Sequence, residues 1–401
     1  MIFNTMTFGV FLVSVFIFYW IVPKDWRKIF LIFASLVFYL YNQPKFFLLI
    51  VFLSLLTYLI AKIIFIIRQN NNKFIFSQKI WWLLGIIILV FSLCYFKYAR
   101  FFIGILNDIL KLFHQTKQLP LPMLLAPLGI SFFVFEFVHY LTDLYHDKIK
   151  KHGLVDFSLF AVFFPTLVSG PIKRFQPLLE QEKEINNFDF IYLNEGLRRI
   201  IIGFAKKIII ADTMTPFANL LLSPDGVSRG GFWIATYAYA IKIYFDFAGY
   251  SDIAIGVARL FGYRVPENFN WPYLRSNISD FWKNWHMSLS SWIKDYLFIP
   301  LGGSRRPMPQ VVFNLTLVMA LCGLWHGPNY TFVVWGLWHG LGLGVYHFYK
   351  SKRKEVNYVS WPKRIVATVF TFHFVLIGWV FFASNTLSDA FFILSKMFFL
   401  R

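Results

Sequence analysis

Along most of this chain, apolar residues come in long runs separated by short polar interruptions, not in alternation. Runs lie near 7–22, 29–41 and 46–67, then near 80–96, 100–113 and 123–145. A polar stretch of mixed charge from about 175 to 198 leads into a short apolar segment at 197–211. Apolar character returns at 232–263, 311–326, 330–348, 364–383 and 387–400. A helix needs about 20 apolar residues to cross roughly 30 Å of hydrocarbon, and several runs approach that length. A transmembrane barrel would alternate apolar and polar positions along each strand, and these runs do not. The pattern predicts an all-α, polytopic helical integral membrane protein with about 11 transmembrane helices and some interfacial or re-entrant ones. No linker delimits a second domain.

Composition agrees with this. A soluble domain carries about 25% charged residues to keep its surface wet; here 15% are charged and 58% are hydrophobic. A formal net charge of +19 raises the question of nucleic acid. The basic residues instead cluster between apolar runs: Lys24, Arg27 and Lys28; Lys148, Lys150 and Lys151; Lys350, Lys352, Arg353 and Lys354. That is the pattern of cytoplasmic loops facing anionic lipid, and no basic domain stands apart to bind nucleic acid. The same rule places residue 1 outside, the loops after 22 and over 68–79 in the cytoplasm, and Arg401 in the cytoplasm. Cys94 and Cys322 both lie in apolar sequence, with neither a disulfide framework nor a metal-ligand spacing.

Several polar groups interrupt the runs. Glu136, His139 and Asp143 share one helical face and should look onto protein or a polar path, since ionisable groups facing lipid are expensive. Phe163-Phe-Pro-Thr-Leu-Val-Ser-Gly-Pro-Ile-Lys-Arg174 is broken by two prolines and a glycine, which membrane depth tolerates only where protein shields the backbone. Arg198, Arg199, Lys206 and Lys207 suggest an interfacial helix whose basic side chains snorkel to headgroups. Asp246 and Asp252 within 232–263 mark either a functional site or a break where they cap a new helix.

Chemistry is concentrated in Asp280-Phe-Trp-Lys-Asn-Trp-His-Met-Ser-Leu-Ser-Ser-Trp-Ile-Lys-Asp295. At helical spacing Trp282, Trp285, His286, Leu289 and Ile293 form one face, opposite Lys283, Asn284, Ser290 and Ser291. His286, His326 and His339 are the candidate bases, because a neutral imidazole takes a proton from a hydroxyl near neutral pH. His326 ends an apolar run before Gly327-Pro328, so its side chain can point into a cavity at a helix end. His339 reads as a core histidine bonded to a carbonyl, and Cys322 as a small buried residue. Gly323-Leu-Trp-His-Gly327 is echoed by Gly336-Leu-Trp-His-Gly340.

Asp280-Phe-Trp-Lys-Asn-Trp-His286-Met-Ser-Leu-Ser, followed by Trp-Ile-Lys-Asp-Tyr-Leu-Phe-Ile-Pro-Leu-Gly-Gly-Ser-Arg305, resembles the signature of the membrane-bound O-acyltransferase family. Phe245-Asp-Phe-Ala-Gly-Tyr-Ser-Asp252, Asn268-Phe-Asn-Trp-Pro-Tyr273 and Leu324-Trp-His-Gly327 extend the match. The resemblance implies one membrane domain of that type over 1–401, with helices enclosing a tunnel. It implies His326 as the catalytic residue and His286 as the second functional histidine. Asp280, Trp282, Asn284, Trp285, Ser288 and Trp325 then become the substrate-binding or tunnel residues.

The expected reaction moves an activated acyl group, foremost acetyl, from a cytoplasmic thioester to hydroxyls of a cell-envelope or extracellular polysaccharide. The donor would be acetyl-CoA or an acyl carrier protein, used as substrate, with no bound cofactor or metal. A periplasmic or extracellular acyltransferase partner and the polymer acceptor complete the system, in a bacterial cytoplasmic (inner) membrane. The Leu-Gly-Gly-Ser-Arg run is similar to the alginate O-acetylation branch, whereas the compact length is closer to proteins serving D-alanyl transfer to teichoic acids. A rival from another class is an ion-coupled transporter with Glu136, His139, Asp246 and Asp252 as its path.

Overall fold

A computed structural model of the chain describes residues 3, 5–69, 75–114, 118–352 and 360–399. The asparagines of the 68–79 loop, together with Arg353, Lys354 and Arg401, lie outside the described residues. Those described form helices and connecting turns, with no strand among them. They fall into two compact units: Met1–Ile201 with Ser251–Pro266, and Ile202–Tyr250 with Glu267–Arg401.

The first unit holds α1 (Met6–Ile21), α2 (Lys24–Asn42), α3 (Phe47–Gln69), α4 (Ile75–Leu93), α5 (Ala99–Leu112), α6 (Ile130–Tyr145), α7 (Leu154–Val162), α8 (Phe175–Glu182) and most of α9 (Phe190–Phe204). Pro23 ends the first apolar run and stands at the N-cap of α2. The runs at 80–96 and 100–113 are not separate: Ser77–Leu112 is one helical stretch of 36 residues, with a π-helical turn at Cys94–Tyr98. The 123–145 run becomes helical only at Ile130, because Pro122 and Pro127 deny the backbone its helical hydrogen bonds.

The broken segment at 163–174 is irregular, as expected, and protein covers it: Phe163, Phe164, Leu167, Ile172 and Lys173 are all buried. The Lys173 ammonium lies 2.7 Å from the Glu136 carboxylate, and the two residues are 1% and 2% exposed. Asp143 pairs with Lys148 at 3.3 Å. Both carboxylates of the α6 stripe are therefore paired.

In the second unit, α10 (Asp212–Ala218) precedes α11 (Arg229–Leu260), whose last residues belong to the first unit. Next come α12 (Ile278–Asn284), α13 (Met287–Ile293), α14 (Met308–His326), α15 (Tyr330–Lys352), α16 (Trp361–Ala383) and α17 (Leu387–Phe398). The helix α11 runs unbroken through Asp246 and Asp252, so neither aspartate caps a new helix. Each is held by a base instead: Lys207 lies 2.9 Å from Asp246, and Arg199 lies 2.7 Å from Asp252. These two basic residues are engaged in ion pairs.

The helices α14 and α15 touch backbone to backbone. A Cβ on Gly323 would fall 2.0 Å from the Phe332 carbonyl oxygen, and one on Gly336 would fall 2.2 Å from that of Met319. The echoed Gly-Leu-Trp-His-Gly segments thus contribute the two faces of one small-residue helix contact. Among the described residues, four stretches are long and apolar enough to cross a membrane: Pro44–Gln69, Ser77–Leu112, Met308–His326 and Trp361–Ala383.

Two stability predictions follow from this packing. Lys173→Met strands a buried Glu136 carboxylate and should destabilise the protein by roughly 3–5 kcal/mol. The double variant Lys173→Met/Glu136→Leu should recover most of that loss in thermal unfolding of the detergent-solubilised protein. If the single variant melts like wild type, the pair is not a structural constraint. Gly336→Val should lower stability by about 1–3 kcal/mol or more through forced separation of α14 and α15. Gly9→Val, where an added Cβ meets nothing within 4 Å, serves as the neutral control.

Candidate active site

The stretch 280–295 is not one helix. It breaks at Trp285-His286 into α12 and α13, and His286 takes the left-handed conformation with φ 42°. That conformation is uncommon for a side chain larger than glycine's and costs on the order of 1–3 kcal/mol. The face expected from helical spacing is nevertheless the buried one: Trp282, Trp285, His286, Leu289 and Ile293 are each 7% exposed or less. The break takes His286 out of a continuous helix, and it stays in the core with its neighbours.

Asn268 fixes the imidazole. Its side-chain oxygen, in a residue 0% exposed, faces His286 Nδ1 at 3.2 Å and accepts from the Ser288 hydroxyl at 2.6 Å and the Ser288 backbone N–H at 3.3 Å. An oxygen acceptor requires the proton to sit on Nδ1, which leaves a lone pair on Nε2. His286 Nε2 is buried without a hydrogen-bond partner among the described residues. Burial first, and the nearby His326 second, hold the pKa of His286 well below the usual imidazole range. Its ring packs edge-on against Phe247 at 4.6 Å.

The second histidine arrives from α14. His326 is the last residue of that helix, and Gly327 continues in extended backbone, so the side chain sits at the helix end as expected. It is partly exposed, whereas His286 is buried. Trp325 joins the two: its ring centroid lies 6.1 Å from that of His286 and 4.8 Å from that of His326. Trp335 on α15 meets His326 edge-on at 5.2 Å, and Phe382 on α16 completes that shell at 5.1 Å.

The other expected site residues divide. Ser288 belongs with His286 through Asn268. Trp282 lines a cavity of about 380 Å³, and its indole N–H has no partner among the described residues. Trp285 is packed among Phe269, Phe281 and Trp379 at 5.0–5.6 Å, which makes it a core residue. The Asn284 amide donates to the Asp280 carbonyl at 2.7 Å and is spent there. Asp280 stands in the first turn of α12, paired with Lys283 at 2.9 Å and bonded to Asn277 at 2.8 Å. Partial burial raises its pKa, but those two bonds outweigh burial and leave the carboxyl below its usual range.

His339 has no carbonyl partner: it is 0% exposed, and neither ring nitrogen is bonded among the described residues. Aromatic rings surround it, including Trp335 at 5.0 Å and Trp282 at 5.3 Å. Cys322 is 3% exposed, the small buried residue anticipated. In the sequence Asn268 stands out only as part of a motif. Its nearest sequence signal is its position in the Asn-Phe-Asn-Trp-Pro-Tyr segment, and spacing alone does not connect it to His286.

Two histidines presented around one tryptophan, one with a free lone pair and a fixed tautomer, can take a proton from a hydroxyl and orient the group that loses it. The chain is similar to several known proteins. Over 401 aligned residues the chain is 37% identical to the "Probable alginate O-acetylase AlgI" of Pseudomonas aeruginosa, covering 99% of this chain and 75% of that protein. It is 35% identical to the peptidoglycan O-acetyltransferase of Helicobacter pylori, over 94% of this chain and 73% of the relative. With the teichoic acid D-alanyltransferase of Bacillus subtilis it shares 32% identity, over 68% of this chain and 72% of that one. Residues 33–385 match the membrane-bound O-acyltransferase family as a whole. With that match spanning both histidine motifs, the chain belongs to the membrane-bound O-acyltransferase family and is a multi-pass membrane enzyme.

Proposed function

We propose that this enzyme transfers an acetyl group from a cytoplasmic thioester, carried by coenzyme A or an acyl carrier protein, to hydroxyls of a cell-envelope or extracellular polysaccharide. The meeting of His286 and His326 around Trp325 carries this reading. His326 takes the proton of the acceptor hydroxyl, and the oxygen attacks the thioester carbonyl carbon. The tetrahedral intermediate collapses with cleavage of the C–S bond, and the imidazolium returns its proton to the departing thiolate. His286, held by Asn268 and neutral, accepts a hydrogen bond at Nε2 and orients the acceptor. Trp282 and Trp325 keep water from the thioester.

In this reading the whole of 1–401 acts as one membrane domain in a bacterial cytoplasmic membrane. About 11 spans surround a tunnel, and a periplasmic or extracellular partner finishes polymer acylation. The alternative acyl group is D-alanyl, favoured by the likeness to the teichoic acid D-alanyltransferase. Supplying membranes with labelled acetyl and D-alanyl thioesters separates the two, because only the true acyl group labels polymer.

His326→Ala should lower acyl transfer by on the order of 10³ while membrane insertion and thermal stability stay near wild type. Unchanged acyl content of the polymer in such a strain would sink the assignment. Asn268→Leu removes the acceptor for His286 Nδ1–H, so transfer should fall by on the order of 10². Asn268→Asp should restore part of that activity, because a carboxylate holds the same tautomer. If the leucine variant matches wild type in rate, the tautomer is immaterial.

A further inference from the structure

His326 sits where a positive charge is favoured on two independent grounds. It is the last residue of α14, a helix of 19 residues that gives way to extended backbone at Gly327. The carbonyls of a helix's final turn carry a partial negative charge, so a cation is stabilised there. Three aromatic rings also face the imidazole: Trp325 of α14 at 4.8 Å, Phe382 of α16 at 5.1 Å and Trp335 of α15 at 5.2 Å between centroids. A cation within about 6 Å of a ring centroid is drawn to the negative face of that ring. All three stand steeply to the imidazole, at 72–88°. A steep pair sets the edge of one ring on the face of the other. The edge of an imidazolium carries its N–H groups and its positive charge, so this arrangement suits the protonated ring.

The walls are backed by further packing. Trp335 is buried and stacks on Trp379 at 5.9 Å. Phe382 packs against Phe332 at 4.9 Å, and Phe332 in turn lies over Gly327, where an added Cβ would run into its ring. The close contact at Gly323 and Gly336 holds α15, and Trp335 with it, against α14. Rings held in this way need no rearrangement when charge appears, which is what makes such stabilisation effective. His286 is differently placed. It is buried, one ring, that of Phe247, lies within 5 Å of it, and its Nδ1 is committed to an amide oxygen. Burial favours a neutral imidazole there. The surroundings of His326 suit a charged ring, and those of His286 a neutral one.

We propose that Trp325, Trp335 and Phe382, with the carbonyl end of α14, form a cation cage that stabilises the imidazolium made when His326 takes the acceptor proton. This rests on the reaction assigned above. The proton leaves the acceptor hydroxyl for the imidazole as the C–O bond forms, and passes to the thiolate as the C–S bond breaks. The charge that the cage meets exists only between those two events. An interaction of that kind raises kcat and leaves KM unchanged. Trp335 and Phe382 act on the reaction through His326.

The test replaces Phe382 of the full-length protein in nanodiscs by trifluorophenylalanine and by pentafluorophenylalanine, which keep the shape of the ring and progressively remove the negative potential of its face. Acyl transfer at about pH 8.5, where a free imidazole is neutral, should lose kcat in step with fluorine content. The loss should reach ~3–30-fold for the pentafluoro ring, with KM within about twofold. In histidine-labelled protein the NMR titration midpoint of His326 should fall in the same order, by about half a pH unit or more. Phe372, which packs on Tyr273 at 5.1 Å and has no ring contact with His326, is the control, and its pentafluoro form should match wild type in both readouts. Trp335→Phe should lower kcat and the midpoint less than Trp335→Leu, because phenylalanine keeps a ring face; thermal melts report the folding of both. A His326 midpoint that ignores fluorination overturns the proposal, whatever the rate does. An equal loss of kcat for the two fluorinated rings also overturns it and assigns Phe382 to packing. A midpoint that falls in order while kcat stays at the wild-type value leaves the cage standing, and instead strikes the reading of His326 as the base.

Discussion

The contact between α14 and α15 is the constraint on which the candidate site depends. Gly323 and Gly336 lack side chains where each helix meets the other's backbone, and no other residue fits at separations of 2.0–2.2 Å from a carbonyl oxygen. Small residues let helices approach closely in a membrane, where dispersion packing must replace the hydrophobic drive available in water. This close approach sets Trp335 of α15 against His326 at the end of α14, and His339 also packs on Trp335. Widening the contact would move the tryptophan that two histidines share.

The second constraint is a single amide oxygen. Asn268 gathers the Ser288 hydroxyl, the Ser288 N–H and the His286 ring onto one acceptor. In doing so it selects a tautomer and supports a left-handed residue that a lone helix would avoid. Burial favours the neutral ring, and the bond to Asn268 holds it in one orientation.

Charge inside this protein is resolved locally. The Lys173–Glu136 pair is almost fully buried, and Asp246 and Asp252 are each held by a base within their own unit. In low dielectric an unpaired carboxylate is far more expensive than in water, so a short ion pair is the economical solution. The same residues offered an ion path when only their positions in apolar runs were known. Their partners, Lys173, Arg199 and Lys207, are 53 residues or fewer away in sequence, yet no spacing rule connects them.

The sequence by itself determined the class: uninterrupted apolar runs demand helices in lipid, and backbone hydrogen bonding leaves few alternatives there. It also singled out His286 and His326, because few polar residues survive in such runs without a reason, and it registered the repeated Gly-Leu-Trp-His-Gly. Only the tertiary structure decided that the repeat is a helix contact and that 280–295 is two helices. The same holds for Asn268 as the orienting residue and Trp285 as core. Periodicity describes the faces of a continuous helix, and it cannot report a left-handed break within one. Nor can it report a hydrogen bond between residues 18 apart that no helix brings together.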